Sequence, residues 1–300
     1  MNAVGGTVQA AAELRERVAA ELDGRGYFEG KAWLREAFTV VPREHFVPDR
    51  VWWPVAQDGI YPLMDRTVRP RQWLRAVYRT QQMLITQIDD GAVRPAGPVE
   101  AESFTAFTSS ISCPAVVVQM LGCFDPREGD RVLEIGTGTG YNTALLAHRV
   151  GAGKVTSVEI DPQVADWARE RLGGLGVDAR LVVADGEEGH ADGAPYDGIL
   201  STVAVREVPR AWPEQVRAGG VIVTPVGTPF HWGGGTYDGL CRLVCDGNGN
   251  AEGQMVAGVT FMKVRGQRKE RPFEELGWPS LGDYRVSVSR AAGQRVRASP

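Results

Sequence analysis

Cysteine is scarce in this chain of 300 residues, where Cys113, Cys123, Cys241 and Cys245 are the full set. None forms a Cys-x-x-Cys pair and no histidine stands at ligand spacing from them, so no metal site is expected. Cys241 and Cys245 have strand spacing, which puts both on one face as small buried apolar groups. Lysine is equally rare: Lys31, Lys154, Lys263 and Lys269 are the only ones within a combined Lys and Arg count of 33. Genome composition accounts for that bias, although guanidinium groups do suit carboxylates. A net charge of −4 and a pI near 5.7 give no electrostatic case for a nucleic-acid partner. No apolar run approaches ~20 residues, and no basic segment precedes an apolar one at the N-terminus. Neither a membrane association nor a targeting segment is therefore expected; a soluble, cytoplasmic monomer is the default. Repeats and low-complexity segments are also absent.

What is present is ordinary globular composition organised around RVLEIGTGTGYNTALLAHRV, Arg131 to Val150. It reads as a buried strand (Val132, Leu133, Ile135), a glycine turn (Gly136, Gly138, Gly140) and a helix opening near Tyr141. A strand feeding a helix through glycines collects unpaired N–H groups and a positive dipole end at one point. Downstream, strands and helices alternate. Lys154–Ile160 is a strand, Pro162 opens a helix to Leu172, and Arg180–Asp185 and Tyr196–Thr202 are strands. A helix is expected around Arg210 to Arg217, followed by the strand Val221–Gly227. This alternation predicts an α/β fold, a doubly wound, mostly parallel Rossmann-like sheet. CRLVC and VAGVTFMKVRG follow as strands without an intervening helix, so the sheet should finish antiparallel. Phe230 to Asp238 reads as a mobile glycine-rich loop, and Gly277 to Pro300 as one strand, YRVSV, with a basic, poorly packed end.

Before the glycine unit, Gln9–Leu22 and Lys31–Phe38 have helical periodicity. VPREHFVP (Val41–Pro48) is ordered but irregular between its prolines. Residues 51 to 107 hold Trp52, Trp53, Tyr61, Trp73, Tyr78, Phe104 and Phe107, with one clear strand, Met83–Ile88. These aromatics could line a peptide groove or form the core of a small N-terminal lobe. Thr108, Ser109, Ser110 and Ser112 then place four hydroxyls before a helix through Val116–Leu121. They read either as turn and capping residues or as a hydroxyl-lined loop facing the cofactor cleft. The organisation expected is 1–107 as an N-terminal helical and aromatic substrate-side region, 108–266 as the cofactor-binding core, and 267–300 as a C-terminal extension.

The glycines discriminate between cofactors. A dinucleotide oxidoreductase wants Gly-x-Gly-x-x-Gly, with pyrophosphate on the helix N-terminus. This chain has Glu134-x-Gly136-x-Gly138-x-Gly140, a better match to a ligand with an amino-acid moiety. Glu159 can accept both ribose hydroxyls, and Asp185-Gly186 can take the exocyclic amine of an adenine. Glu134 can place negative charge near a cation. A solvated strand-end acid for Asp185 and a helix cap for Glu134 are the bland readings. Together these carboxylates favour a sulfonium ligand, S-adenosyl-L-methionine, over a pyrophosphate.

The ordered set VPREHFVP, SSISCP, VLEIGTGTGYNTALLA, DGEEGH, APYDGIL, VPRAWPEQVRAGG and TPVG resembles the protein-L-isoaspartate O-methyltransferase family over most of residues 10 to 266. The resemblance implies a Rossmann-like methyltransferase core and methyl transfer to an aspartyl or isoaspartyl carboxylate of a peptide or protein, the ester then closing to a succinimide. It places Ser112 on the active-site serine and Ser110 where the family usually has threonine. It sets Ser109, Ser110 and Ile111 beside the cofactor. Gly136, Thr137 and Gly138 fall on its methionine side, Glu159 and Ile160 on its ribose, Asp185 and Gly186 on its adenine. Two departures stand out: a long aromatic connection before SSISCP, and FMKVRG where the family has a proline after the apolar pair. With the C-terminal extension, these resemble actinobacterial relatives dedicated to ribosomally made peptide natural products. General repair of damaged isoaspartyl proteins is the alternative, and a non-catalytic peptide-binding protein of the same fold a third reading.

Overall fold

The computed structural model describes residues 3–55, 59–100, 107–232, 235–268 and 283–299. The chain packs as two compact units. The first comprises Met1–Gly122 together with Gly138–Arg149 and Asp166–Val177. It opens with α1 (Ala3–Asp23) and α2 (Ala32–Val40). The first helix stops at glycine, with Gly26 in the left-handed region at φ 78°. VPREHFVP becomes a single tight turn of helix over Arg43–Phe46. The segment beyond it is more regular than its sequence pattern shows. It forms β1 (Arg50–Trp52), β2 (Ile60–Tyr61), β3 (Leu63–Asp65), α3 (Pro70–Val77), β4 (Leu84–Ile88) and β5 (Val99–Glu100). Then come β6 (Phe107–Ile111) and α4 (Pro114–Phe124), whose first position is a proline that has no N–H to leave unpaired.

Strands β3-β1-β4-β6 make a four-stranded antiparallel sheet, and β2 pairs with β5. The aromatics of this region are core. Trp52, Tyr61, Trp73, Tyr78 and Phe107 are all buried, and the Tyr61 and Phe107 rings meet edge to face at 4.9 Å. Both buried indoles have partners, Trp52 Nε1 donating to the Gly97 carbonyl (3.0 Å) and Trp73 Nε1 to that of Pro48 (3.1 Å). Trp53 is half-buried, with the Arg79 guanidinium 5.4 Å from its ring centroid. Phe104 lies outside the described residues.

The second unit carries the large sheet. Along the chain its strands alternate with helices as expected, most of α5 and α6 being counted with the first unit: β7 (Val132–Ile135), α5 (Tyr141–Val150), β8 (Val155–Glu159), α6 (Pro162–Gly174), β9 (Arg180–Val183) and β10 (Tyr196–Ser201). Next are α7 (Ala211–Glu214), β11 (Val216–Trp232), β12 (Gly235–Cys245), β13 (Ala251–Val259), β14 (Asp283–Ser289) and β15 (Gly293–Ser299). The order is β15-β14-β13-β12-β11-β10-β7-β8-β9, parallel from β9 to β11 and antiparallel from there to β15. The α/β class is the one the alternation predicts. Because the chain steps outward from β7 through β8 to β9 and returns to β10 beside β7, the strand order reverses at the carboxyl ends of β7 and β10. A ligand crevice is expected at such a point.

Three local expectations change. The helix around Arg210 to Arg217 shrinks to Ala211–Glu214, because Val216 already pairs with Tyr196 as the start of β11. Phe230 to Asp238 continues a long hairpin, with His231 opposite Thr236 and Trp232 opposite Gly235. The C-terminal end pairs along its length with β14 and buries Val296, so it completes the sheet. Cys241 and Cys245 are both buried on β12, and burial pushes each thiol up to about 12. Val286 of β14 is fully buried in the same core. Truncating it to alanine is expected to cost about 2 kcal/mol, read as a lower urea midpoint with an unchanged slope.

Candidate active site

The glycine loop is shaped by its neighbours in the second unit. The Gly136 amide donates to the Val158 carbonyl (2.9 Å), and Thr202 Oγ1 donates to the Gly136 carbonyl at 2.5 Å. Gly136 sits at φ +88°, and a Cβ there would stand 2.7 Å from Thr202 Oγ1 and 3.0 Å from Val203 Cγ1. Only glycine can occupy that position. Glu134, immediately before it, is fully buried and accepts a hydrogen bond from Ser157 Oγ (2.6 Å), which in turn meets Thr137 Oγ1 at 2.6 Å. A buried carboxylate needs such donors to stay acceptable in the interior. The chain Glu134–Ser157–Thr137 thereby ties β7, β8 and the glycine loop together.

Glu159 ends β8 half-buried, and its Oε1 accepts the Asp161 amide at 3.1 Å. Asp161 caps α6, accepting the amides of Gln163 (2.8 Å) and Val164 (3.3 Å), with Pro162 following as the sequence implies. Ile160 between them is half-buried. Asp185 lies exposed just past β9, its Oδ1 accepting the Glu187 amide (3.0 Å) across a short turn. Gly186 beside it is buried: its carbonyl accepts Trp212 Nε1 (2.8 Å), and a Cβ would stand 2.5 Å from Ile135 Cγ2.

The hydroxyl segment belongs to the first unit, and it is a strand where a loop was expected. β6 pairs with β4, placing Ile85 opposite Ser110 and Gln87 opposite Ser109. Strand alternation then sorts the candidates. Phe107, Ser109 and Ile111 are buried, while Thr108 and Ser110 are partly exposed, as is Ser112 just beyond. Thr86 Oγ1 donates to Ser109 Oγ (2.9 Å), and Thr108 Oγ1 donates to Gln87 Oε1 (2.8 Å). Ser110 and Ser112 are therefore the side chains with an open aspect. The glycine loop reaches this strand, because a Cβ on Gly138 (φ +54°) would lie 3.9 Å from the Ser110 carbonyl oxygen. Gly140, at φ +86°, packs against Ala168 and Leu172.

One residue that the sequence pattern quoted but gave no role is central here. Arg43 is fully buried, its Nε donating to the Val77 carbonyl (2.9 Å) and Nη2 to the Ser112 carbonyl (2.6 Å). Its guanidinium carbon lies 5.1 Å from the ring centroid of Tyr141, the first residue of α5. Burial pulls this guanidinium below its ordinary value and carries the Tyr141 phenol up to about 12. Glu44 next door is joined by Arg15 (3.3 Å) and by the Tyr78 hydroxyl, and burial together with Glu44 raises the Tyr78 phenol. Among the described histidines, His45 bonds the Arg171 carbonyl through Nε2 (2.7 Å) and His148 lies 3.8 Å from Glu36. No group of three His, Cys, Asp or Glu side chains gathers as metal ligands among the described residues, and no helix there is long and apolar enough to cross a membrane.

The fold is that of a Rossmann-like methyltransferase. A solved protein-L-isoaspartate O-methyltransferase superposes with a TM-score of 0.64 at 20% identity, covering 95% of this chain and all of that one. A related structure from Plasmodium falciparum, determined with S-adenosyl-L-homocysteine, gives 0.57 at 13% identity over 85% of this chain and 99% of that one. The sequence carries the identification further. The family model for protein-L-isoaspartate(D-aspartate) O-methyltransferase matches residues 79–269. Protein-L-isoaspartate O-methyltransferase 2 of Archaeoglobus fulgidus is 39% identical over 163 residues, 54% of this chain and 71% of the relative. The chain belongs to the protein-L-isoaspartate O-methyltransferase family, enzymes that esterify protein carboxylates with S-adenosyl-L-methionine as methyl donor. The glycine loop fits that donor, with Gly136, Gly138 and Gly140 at positive φ opening the backbone to a ligand.

Two measurements follow. Gly136→Ala should lower the melting temperature, because Thr202 and Val203 must give way, and should cost about 100-fold or more in affinity for S-adenosyl-L-homocysteine by calorimetry on the folded protein. The raised Tyr141 value means that the folded state holds its proton where the unfolded chain, near 10, has released it. Stability from this group is present below pH 10 and is lost as pH rises towards 12, to be followed by alkaline denaturation alongside ultraviolet titration of the phenols.

Proposed function

We propose that the protein methylates an aspartyl or isoaspartyl carboxylate in a dedicated peptide substrate, a ribosomally made precursor, with Ser112 and Ser110 orienting the acceptor. In this reading Gly136, Thr137, Gly138 and Gly140 hold the amino-acid end of the cofactor, beside Ser109, Ile111 and Glu134. Glu159 and Ile160 hold its ribose, and Asp185 and Gly186 its adenine. The bound cofactor supplies a methyl group activated on a sulfonium. A carboxylate is already ionised at neutral pH (pKa about 4), so no general base is needed. His45 and His148, engaged as described, are consistent with that. What the chain must do is hold the acceptor oxygen in line and exclude water, which hydroxyl donors on a rigid strand can do. The acceptor carboxylate oxygen gains the methyl group as the carbon–sulfur bond breaks. Attack of the following backbone N–H on the ester then closes a succinimide and expels methanol.

The observation that supports a dedicated substrate is the pairing of β6 with β4. The long connection before SSISCP is a folded sheet whose strand β4 lies directly against the hydroxyl strand, setting its register. A second departure falls on Lys263, where the family has a proline. Its Nζ pairs with buried Asp238 (2.5 Å), and Asp238 also accepts the Phe261 amide (2.8 Å). In this reading both departures bear on the acceptor and not on the cofactor. General isoaspartyl repair is favoured instead by the match of the whole core, residues 79–269, to the repair family.

Mass spectrometry of peptides incubated with enzyme and cofactor separates the readings. A gain of about 14 Da marks the ester and a net loss of about 18 Da the imide. Modification of an Asp-containing precursor peptide supports the dedicated reading, and methylation confined to isoaspartyl test peptides overturns it. Ser112→Ala should lower kcat by about 100-fold with little change in cofactor affinity; full turnover would remove Ser112 from the mechanism.

A further inference from the structure

A guanidinium as deeply buried as that of Arg43 is costly: removing such an ion from water takes several kcal/mol, and a well-packed apolar side chain is often no worse for stability. None of the ion pairs among the described residues includes Arg43. Its two hydrogen bonds go to main-chain carbonyls, at Val77 and Ser112. Its Nη1 and the hydroxyl of Tyr141, both buried, meet no partner at good hydrogen-bond geometry and have mainly each other for electrostatic support. Stability alone does not account for a charge placed in this way.

Its position does. The Ser112 carbonyl lies in the passage from β6 to α4, and fixing it restricts the ψ rotation of Ser112. The same passage is held from the other side, where the Ala115 amide donates to the Thr80 carbonyl (3.0 Å). The guanidinium plane meanwhile rests on Tyr141, the residue that follows Gly140 of the glycine loop, and Phe46 packs against the same ring at 5.8 Å. The turn that carries Arg43 therefore touches both the hydroxyl strand's exit and the start of the cofactor-loop helix, all within the first unit.

We propose that Arg43 is a positioning residue for methyl transfer: it holds the Ser112 carbonyl and the Tyr141 ring at once, keeping the acceptor-side hydroxyl in fixed register with the helix that leaves the glycine loop. The proposal rests on the reading of Ser112 as an acceptor-orienting residue. Lysine at 43 keeps the charge but cannot span both carbonyls while stacking on the ring.

The test is a double-mutant cycle on the full-length enzyme with Arg43→Lys, Ser112→Ala and the combination. The readouts are kcat and KM for an accepted peptide, melting temperature, and S-adenosyl-L-homocysteine affinity by calorimetry. Arg43→Lys is expected to lower kcat by about 10- to 100-fold while cofactor affinity stays within about twofold. In the Ser112→Ala background the same change should have little further effect, because the two act as a unit. Arg43→Met serves as a second variant, with the same pattern expected if it folds. Unchanged kcat in folded Arg43→Lys overturns the proposal. So do losses that multiply independently in the double variant, and so does a kcat loss matched by loss of cofactor affinity, which marks a merely structural role. Full turnover of Ser112→Ala overturns the Ser112 reading itself and is seen in that single variant alone.

Discussion

The Gly136 peptide is the constraint from which the shape of the glycine loop follows. Its amide is held by Val158 of β8, and its carbonyl by Thr202 beyond β10. Its missing Cβ is the only thing that lets Thr202 and Val203 close over it. Three strands of one sheet thus agree on the place of a single backbone turn, and the turn cannot relax without disturbing all of them. Buried Glu134 reinforces it from beneath through Ser157 and Thr137. Hydrogen-bonded groups of this kind, fully satisfied, specify one arrangement more sharply than apolar packing does.

The hydroxyl strand is built by a different logic. Ser110 owes its aspect to strand alternation on β6, with Ser112 just past its end, and β6 owes its register to β4, a strand of the aromatic segment that precedes it. The aromatic segment is therefore also the scaffold of the hydroxyls that follow it.

Much of the large sheet was legible because its signals are local. VLEIGTGTG alone joins a buried strand, left-handed glycines and a helix start, and Pro162 marks the next helix by its fixed φ and absent N–H. The weaker passages were those in which partners are distant. Thr108 to Ile111 reads as a loop because serine and threonine favour turns, yet pairing with β4 makes it a strand. FHWGGGTYD reads as a loop by its glycines, although the register of β11 with β12 carries the hairpin through His231 and Trp232. The basic C-terminal residues read as unpacked until β14 gives them a partner.

From its residues alone, the chain determined the α/β class and the place of the glycine loop, since each depends on a few neighbouring positions and their intrinsic backbone preferences. By resemblance, it also pointed to Ser112. Only the tertiary structure separated Ser109 and Ile111, turned inward, from Ser110 and Ser112, turned out, and only it showed Thr202 over Gly136 and Arg43 beneath Ser112. These relations join residues 66 and 69 positions apart. Composition and periodicity report which face a residue prefers, but not which remote backbone group will be waiting there.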